Sequence, residues 1–137
     1  MQPDDRPAVD AATRRRMQAV RRIDTEPELR LRRALWRAGL RYRLNRRVAG
    51  TRPDLVFPGA MVAVFVDGCF WHGCPRHPRP RRNAEFWHRK VMRNQARDER
   101  DARALAHAGW VVIRVWECDL NRDLESSIEQ IWAAVRP

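Results

Sequence analysis

Apolar and polar positions recur in two rhythms along this chain, and each rhythm predicts an element. Leu31, Ala34, Leu35 and Ala38 follow the three- and four-residue spacing of one helical face. Just ahead of them, Thr25-Glu26-Pro27-Glu28 combines a capping hydroxyl, a first-turn proline and an acid three residues after the cap, so a helix is predicted from there to Gly39. Leu40-Arg41-Tyr42-Arg43-Leu44 alternates with period two, as a half-buried strand does. Leu55-Val56-Phe57, behind Arg52-Pro53-Asp54, and Met61 to Val66, behind the Pro58-Gly59 turn, are short continuous apolar runs. Three strands in succession predict an antiparallel meander. An irregular stretch rich in Gly, Pro, Cys and His runs from Gly68 to Arg82. Helical spacing then returns with Phe86, Trp87, Val91, Ala102, Leu105 and Ala106, with Asn83 as the cap and Gly109 as the stop. Trp110 to Trp116 reads as a buried strand, and Leu124, Ile128, Ile131, Trp132 and Val135 share one face of a closing helix. The order helix, three strands, helix, strand, helix describes one α/β domain without repeats, and 137 residues leave no room for a second. Residues 1–12 have no periodicity and are expected to form a disordered tail ahead of a single domain over 13–137.

Composition narrows the class. Apolar types make up 44% of the chain, enough for a core, and 33% of residues are charged. The longest apolar run, Ala60 to Val66, falls far short of the roughly 20 residues a bilayer helix needs. The first dozen residues carry Asp4, Asp5 and Asp10 and lack the apolar stretch of a secretory signal, so a cytoplasmic protein is expected. Charge says more: 28 basic residues against 17 acidic give +11, with Lys90 the only lysine. Coding bias explains a preference for arginine but not the surplus, which attracts polyanions, nucleic acid first. The segment Thr13 to Arg22, with Arg14, Arg15 and Arg16, fits a DNA-facing arm and a solvated tail equally well. Three cysteines cannot all pair with one another, and in a reducing compartment they are thiols or metal ligands.

Two clusters carry candidate chemistry. Cys69, Cys74, His77 and Cys118 offer three thiolates and an imidazole, the closed shell of a structural zinc ion, with spacing looser than a Cys-x-x-Cys knuckle. The competing reading is three buried small hydrophobes and a surface histidine. Residues 73 to 82 lack apolar anchors, and a metal would supply order there. Glu28, Asp54, Asp67 and His72 form the second cluster. A hairpin would bring Asp54, at the start of one strand, and Asp67, at the end of the next, to one end of the sheet, while Glu28 shares the face of Leu31 and Leu35. Hard oxygen donors of this kind suit Mg²⁺, and a histidine beside the ion suits proton transfer. Each residue also has a plainer reading: Asp54 and Asp67 as turn residues, Glu28 as the capping acid.

Taken together, Asp24-Thr25-x-Pro27-Glu28, Arg52-Pro53-Asp54, the run Phe65-Val66-Asp67-Gly68-Cys69-Phe70-Trp71-His72-Gly73-Cys74-Pro75-x-His77, Glu85-Phe86-Trp87, and Gly109-Trp110 with Val115-Trp116-Glu117 resemble the very short patch repair (Vsr) endonucleases. The likeness runs from about Thr13 to Leu120, and its most specific part is Gly68 to His77. It implies the restriction-endonuclease-like core, a mixed central sheet flanked by helices with a structural zinc site. It also implies an enzyme that nicks one strand of duplex DNA beside the thymine of a T·G mismatch, the product of 5-methylcytosine deamination. By this resemblance Asp54 and the Val66 backbone carbonyl would hold Mg²⁺, His72 would transfer the proton and Glu28 would be an outer acid. Phe70, Trp71 and Trp87 would form an aromatic wedge, for which ordinary core packing is the alternative, and Cys69, Cys74, His77 and Cys118 would bind zinc. A monomer acting in the bacterial nucleoid, with mismatch-repair proteins as partners, follows from the same resemblance. Two departures stand out. Phe65 and Asp67 replace the acid and the lysine that the wider nuclease fold carries on its third strand, and some Vsr members have histidine where this chain has Asp67, which leaves that residue's role open between metal binding and orienting His72. A restriction-type nuclease of the same fold and a zinc-stabilised, non-catalytic DNA-binding module are the competing functions.

Overall fold

Thr25 caps the first helix among the described residues, as its sequence predicts. In the computed structural model, which describes residues 25–76 and 81–136, the Thr25 hydroxyl accepts from the Glu28 backbone N–H at 3.4 Å, and Pro27 lies in the first turn of α1 (Glu26–Arg37). Leu31 and Leu35 point from α1 into the core. The strand expected at 40–44 does not form. A single antiparallel bridge joins Arg43 to Val56, for two reasons: Leu44 is 37% exposed and finds no core to face, and Asn45, at φ +56, takes the chain out of the extended region.

Among the described residues the sheet has three strands in the order β1 (Leu55–Phe57), β2 (Val62–Asp67) and β3 (Val111–Trp116). β1 and β2 are the expected hairpin, antiparallel with Val56 opposite Ala63. β3 joins β2 in parallel, with Phe65 opposite Arg114, so the sheet is mixed and the meander stops at two strands. A parallel pair needs a long crossover, and α3 (Ala84–His107) supplies it. Asn83 stands at the cap position of α3 but in the left-handed conformation at φ +58, and its side chain makes no capping bond. Two short helices escape the sequence patterning, α2 (Cys69–His72) and α4 (Glu117–Arg122), and α5 (Leu124–Val135) closes the chain. On α5, Ile131 is buried and Leu124, Ile128 and Val135 are half-buried, whereas Trp132 departs from the predicted face: it is 38% exposed, with the Arg136 guanidinium over its ring.

Helices cover both sheet faces, so every residue of β2 is buried. Val62, Val64 and Val66 join Leu31, Leu35, Ile113, Val115 and Ile131 in the main core, while Ala63 and Phe65 turn to the opposite face, against Leu105 of α3. The period-two alternation therefore brings Asp67 out on the α3 side, and Arg114, across from Phe65, emerges there too. No helix among the described residues is long and apolar enough to cross a membrane. The expected tail, the basic segment with Arg14, Arg15 and Arg16, and the zinc candidate His77 lie outside the described residues.

Candidate active site

The hairpin pins Asp54 at the end of the sheet. Its backbone N–H donates to the Val64 carbonyl at 2.9 Å, and its Oδ2 accepts from the Val66 N–H at 2.7 Å. Glu28, only 2% exposed, looks inward from the first turns of α1 beside the Asp54 carboxyl and is ion-paired to Arg32 one turn along. Burial, aided by the neighbouring Glu28 and by Asp67, pushes the Asp54 carboxyl from its ordinary 3.8 to about 7, against the opposing pull of the Val66 N–H. Burial raises Asp67 and Glu117 as well; Arg114 and His72 oppose the shift at Asp67, and the charge on Glu28 adds to it at Glu117.

His72 ends α2, and α3 grips it at two points one turn apart. Asp98 Oδ2 lies 2.5 Å from His72 Nδ1, and Gln95 Nε2 donates to the His72 carbonyl at 3.0 Å. This close approach needs glycine at the next position: a Cβ on Gly73 would sit 2.6 Å from Val91 Cγ1 and 2.9 Å from Gln95 Nε2, and Gly73 adopts φ +72. Asp54, Val66, Asp67, His72, Asp98 and Glu117 line one cleft of about 360 Å³, with Arg52, Arg97, Arg100 and Arg114 among its walls. The structure thus brings together all four residues of the acid-histidine cluster read from the sequence, as two linked halves: Glu28 with Asp54, and Asp67 with His72 at 3.9 Å. Three buried or half-buried carboxyls, Asp54, Asp67 and Glu117, raised toward neutrality on one cleft form a donor set that a divalent cation relieves, and the hard oxygens of Asp54 and Val66 fit Mg²⁺.

Asp98, Arg114 and Glu117 line the cleft but are not among the candidates the sequence singles out. Asp98 sits in the charged run Arg97-Asp98-Glu99-Arg100, where nothing separates it from a solvated helix face. Arg114 does carry a signal, because a lone charge inside the apolar run Trp110 to Trp116 needs a buried partner.

The cysteines converge as their spacing suggests. The sulfurs of Cys69, Cys74 and Cys118 all lie within 4.8 Å of one another, with Cys74 and Cys118 at 3.6 Å, and none is in a disulfide. Burial, together with the neighbouring thiols, pushes Cys69 up to about 12. Arg76 Nη2 donates to Cys118 Sγ at 2.9 Å and to Asp119 at 2.8 Å. Three converging soft donors fit zinc. Phe70 and Trp71 occupy α2 between the first of these cysteines and His72. Trp87, expected at the DNA surface, is instead 2% exposed, because the apolar face of α3 turns it inward and sets its ring edge-on to Phe86 at 4.9 Å.

This architecture is an α/β nuclease fold of the restriction-endonuclease-like kind. It is shared with the catalytic domain of the homing endonuclease I-Bth0305I, at a TM-score of 0.59 and 21% identity over 83% of this chain and all of that one. Residues 8–77 match the family model described as DNA mismatch endonuclease Vsr. The type II nicking enzyme V.NaeI of Lentzea aerocolonigenes is 45% identical over 88% of this chain and 76% of its own length. The DNA mismatch endonuclease Vsr of Escherichia coli is 40% identical over 82% of this chain and 74% of its own. The chain belongs to the DNA mismatch endonuclease Vsr family.

Proposed function

We propose that this protein is a Mg²⁺-dependent DNA endonuclease that nicks one strand of duplex DNA beside the thymine of a T·G mismatch. One observation carries the reading: Asp54 and the His72–Asp98 pair face a single cleft walled by arginines. Asp54 and the Val66 carbonyl are the proposed Mg²⁺ ligands, and the ion would supply charge neutralisation at the phosphoryl oxygens together with activation of a water. His72 holds its Nδ1 against Asp98, which leaves Nε2 to take a proton from water or deliver one to the departing oxygen. Glu28, next to Asp54, would bear on that carboxyl from behind. Arg52, Arg97 and Arg100 on the walls would meet backbone phosphates, which fixes register without reading sequence.

Mismatch choice is assigned to Phe70 and Trp71 as a wedge. Opening the stack costs a few kcal/mol, least where pairing is already weak, as at a T·G wobble. Trp87 would have to leave its place against Phe86 to join them. The test compares a T·G duplex, the matched duplex and the matched duplex methylated at cytosine, each with Mg²⁺. Nicking confined to the T·G duplex is expected. Cutting of the matched duplex at a defined site would replace this reading with a restriction-type nuclease, in keeping with the relatives named type II nicking enzymes. Binding without cutting would leave the zinc-stabilised binding module.

Zinc at Cys69, Cys74, Cys118 and His77 is proposed as structural. A closed site contributes to folding rather than to chemistry. Cys74→Ala is therefore expected to lower the melting temperature and solubility far more than it changes kcat of the surviving folded protein. Metal analysis of natively purified protein should return one zinc per chain, and a result of none would remove the site.

A further inference from the structure

Arg114 is a charge at the centre of a strand, between the buried side chains of Ile113 and Val115. Phe65 is its partner across the parallel ladder, and the guanidinium carbon lies 4.2 Å from the centroid of that ring, which gives the planar group a surface to lie against. From there Nη1 reaches Asp67 Oδ1 at 2.9 Å and Asp98 Oδ1 at 3.5 Å, and Nη2 reaches the Asp98 backbone carbonyl at 3.3 Å. Asp98 uses its other oxygen, Oδ2, for His72. One side chain on β3 therefore fastens the end of β2 and the middle of α3, one step removed from the imidazole.

We propose that Arg114 is a positioning residue for nicking: lying over Phe65 and bound to Asp67 and to both side chain and backbone of Asp98, it fixes the Asp98 carboxylate on His72 and so sets how the imidazole faces the scissile phosphate. The inference rests on the endonuclease reading above and deepens its site. It also assigns Asp67, whose counter-charge holds the guanidinium on β2. Asp67, His72 and Asp98 place ligand atoms within 4.8 Å of one another, an arrangement that could take a metal ion. In this chain the guanidinium nitrogen 2.9 Å from Asp67 is the cation of that cluster. Without it, two largely buried carboxylates would face each other, and repulsion would turn Asp98 away from His72. Lysine would restore the charge but not the geometry, because a single ammonium cannot span Asp67 and both contacts on Asp98.

The test measures kcat and KM with Mg²⁺ on whichever duplex the parent protein nicks, for Arg114→Met, Arg114→Lys, Asp67→Asn and the double variant Asp67→Asn/Arg114→Met. Arg114→Met is expected to lower kcat about 100-fold with KM within about twofold, the pattern of a lost contribution to the chemical step rather than to binding. The double variant should nick faster than Arg114→Met alone, since removing the Asp67 charge removes the repulsion. A raised KM at unchanged kcat would make Arg114 a DNA contact and overturn the proposal, as would effects that simply add in the double variant. Should Arg114→Met fail to fold, Arg114→Lys decides, because parental kcat in that variant overturns the need for the forked contact. A parent protein that nicks no duplex overturns the endonuclease reading and this proposal with it, whereas a parent that nicks while every Arg114 variant keeps its kcat overturns this proposal alone.

Discussion

Asparagine in place of Asp54 is expected to lower nicking by several orders of magnitude and, in the same protein, to raise stability. Both effects come from one half-buried carboxyl. Its folded value of about 7 lies above the ordinary 3.8, so the folded state binds more protons than the unfolded state between those values. The stability this group contributes is therefore present below about pH 4 and is lost as pH rises through about 7. Ionising it in the metal-free fold at pH 8 costs up to about 4 kcal/mol. The substituted amide would be neutral at every pH and would still offer an oxygen to the Val66 N–H. Thermal unfolding in chelator should show the parent falling in stability from pH 5 to 8 and Asp54→Asn falling much less; some slope persists, because Asp67 and Glu117 are raised too. Mg²⁺ should stabilise the parent and leave the variant nearly unmoved, since a ligand stabilises only the state that binds it. Parental nicking by the Asp54→Asn protein would dismiss this active site.

The second large effect is expected at the His72–Asp98 pair. His72→Ala removes the proposed proton-transfer group and should cost about 10²- to 10⁴-fold in kcat, the usual contribution of a positioned acid or base. Asp98→Asn should cost nearly as much although the fold barely notices it. An amide presents either a donor or a weaker acceptor to Nδ1, so neither the tautomer nor the ring orientation is held. The two substitutions combined should cost little more than His72→Ala alone, because residues that act as a unit are not additive. Fully additive losses would mean that Asp98 acts elsewhere, and duplex binding by all three variants provides the control for folding.

The readable parts of the fold are those with a local cause. Thr25 and Pro27 start α1, Pro58-Gly59 makes the hairpin turn, and Gly109 ends the crossover helix, each acting within a few residues. Leu40 to Leu44 shows the limit, since its alternation is genuine but Leu44 stays 37% exposed. Trp132 shows the same limit on a helix. For the candidate site, Asp54 and His72 stand beside conformationally marked neighbours, a proline and a Gly-Cys-Pro run, which set them apart. Asp98 has no such mark, and its partnership with His72 exists only because α3 folds back across the end of β2. Arg114 is legible as an anomaly but not as a partner of Asp67, because no local pattern encodes a parallel pairing.

That parallel pairing also governs when the protein becomes capable of cutting. Asp67 waits for Arg114, 47 residues further on, and Cys74 for Cys118, 44 residues further on. The hairpin with Asp54 and Val66 needs only local contacts, whereas the clamp on Asp98 and the third sulfur need β3 and the helix after it to be docked. Such long-range contacts form late, after the loop between them has been closed. A chain that has not reached β3 lacks Arg114, the residue proposed to hold Asp98 against His72. Completion of the candidate site is thus deferred to the docking of β3, a consequence of the order of the elements.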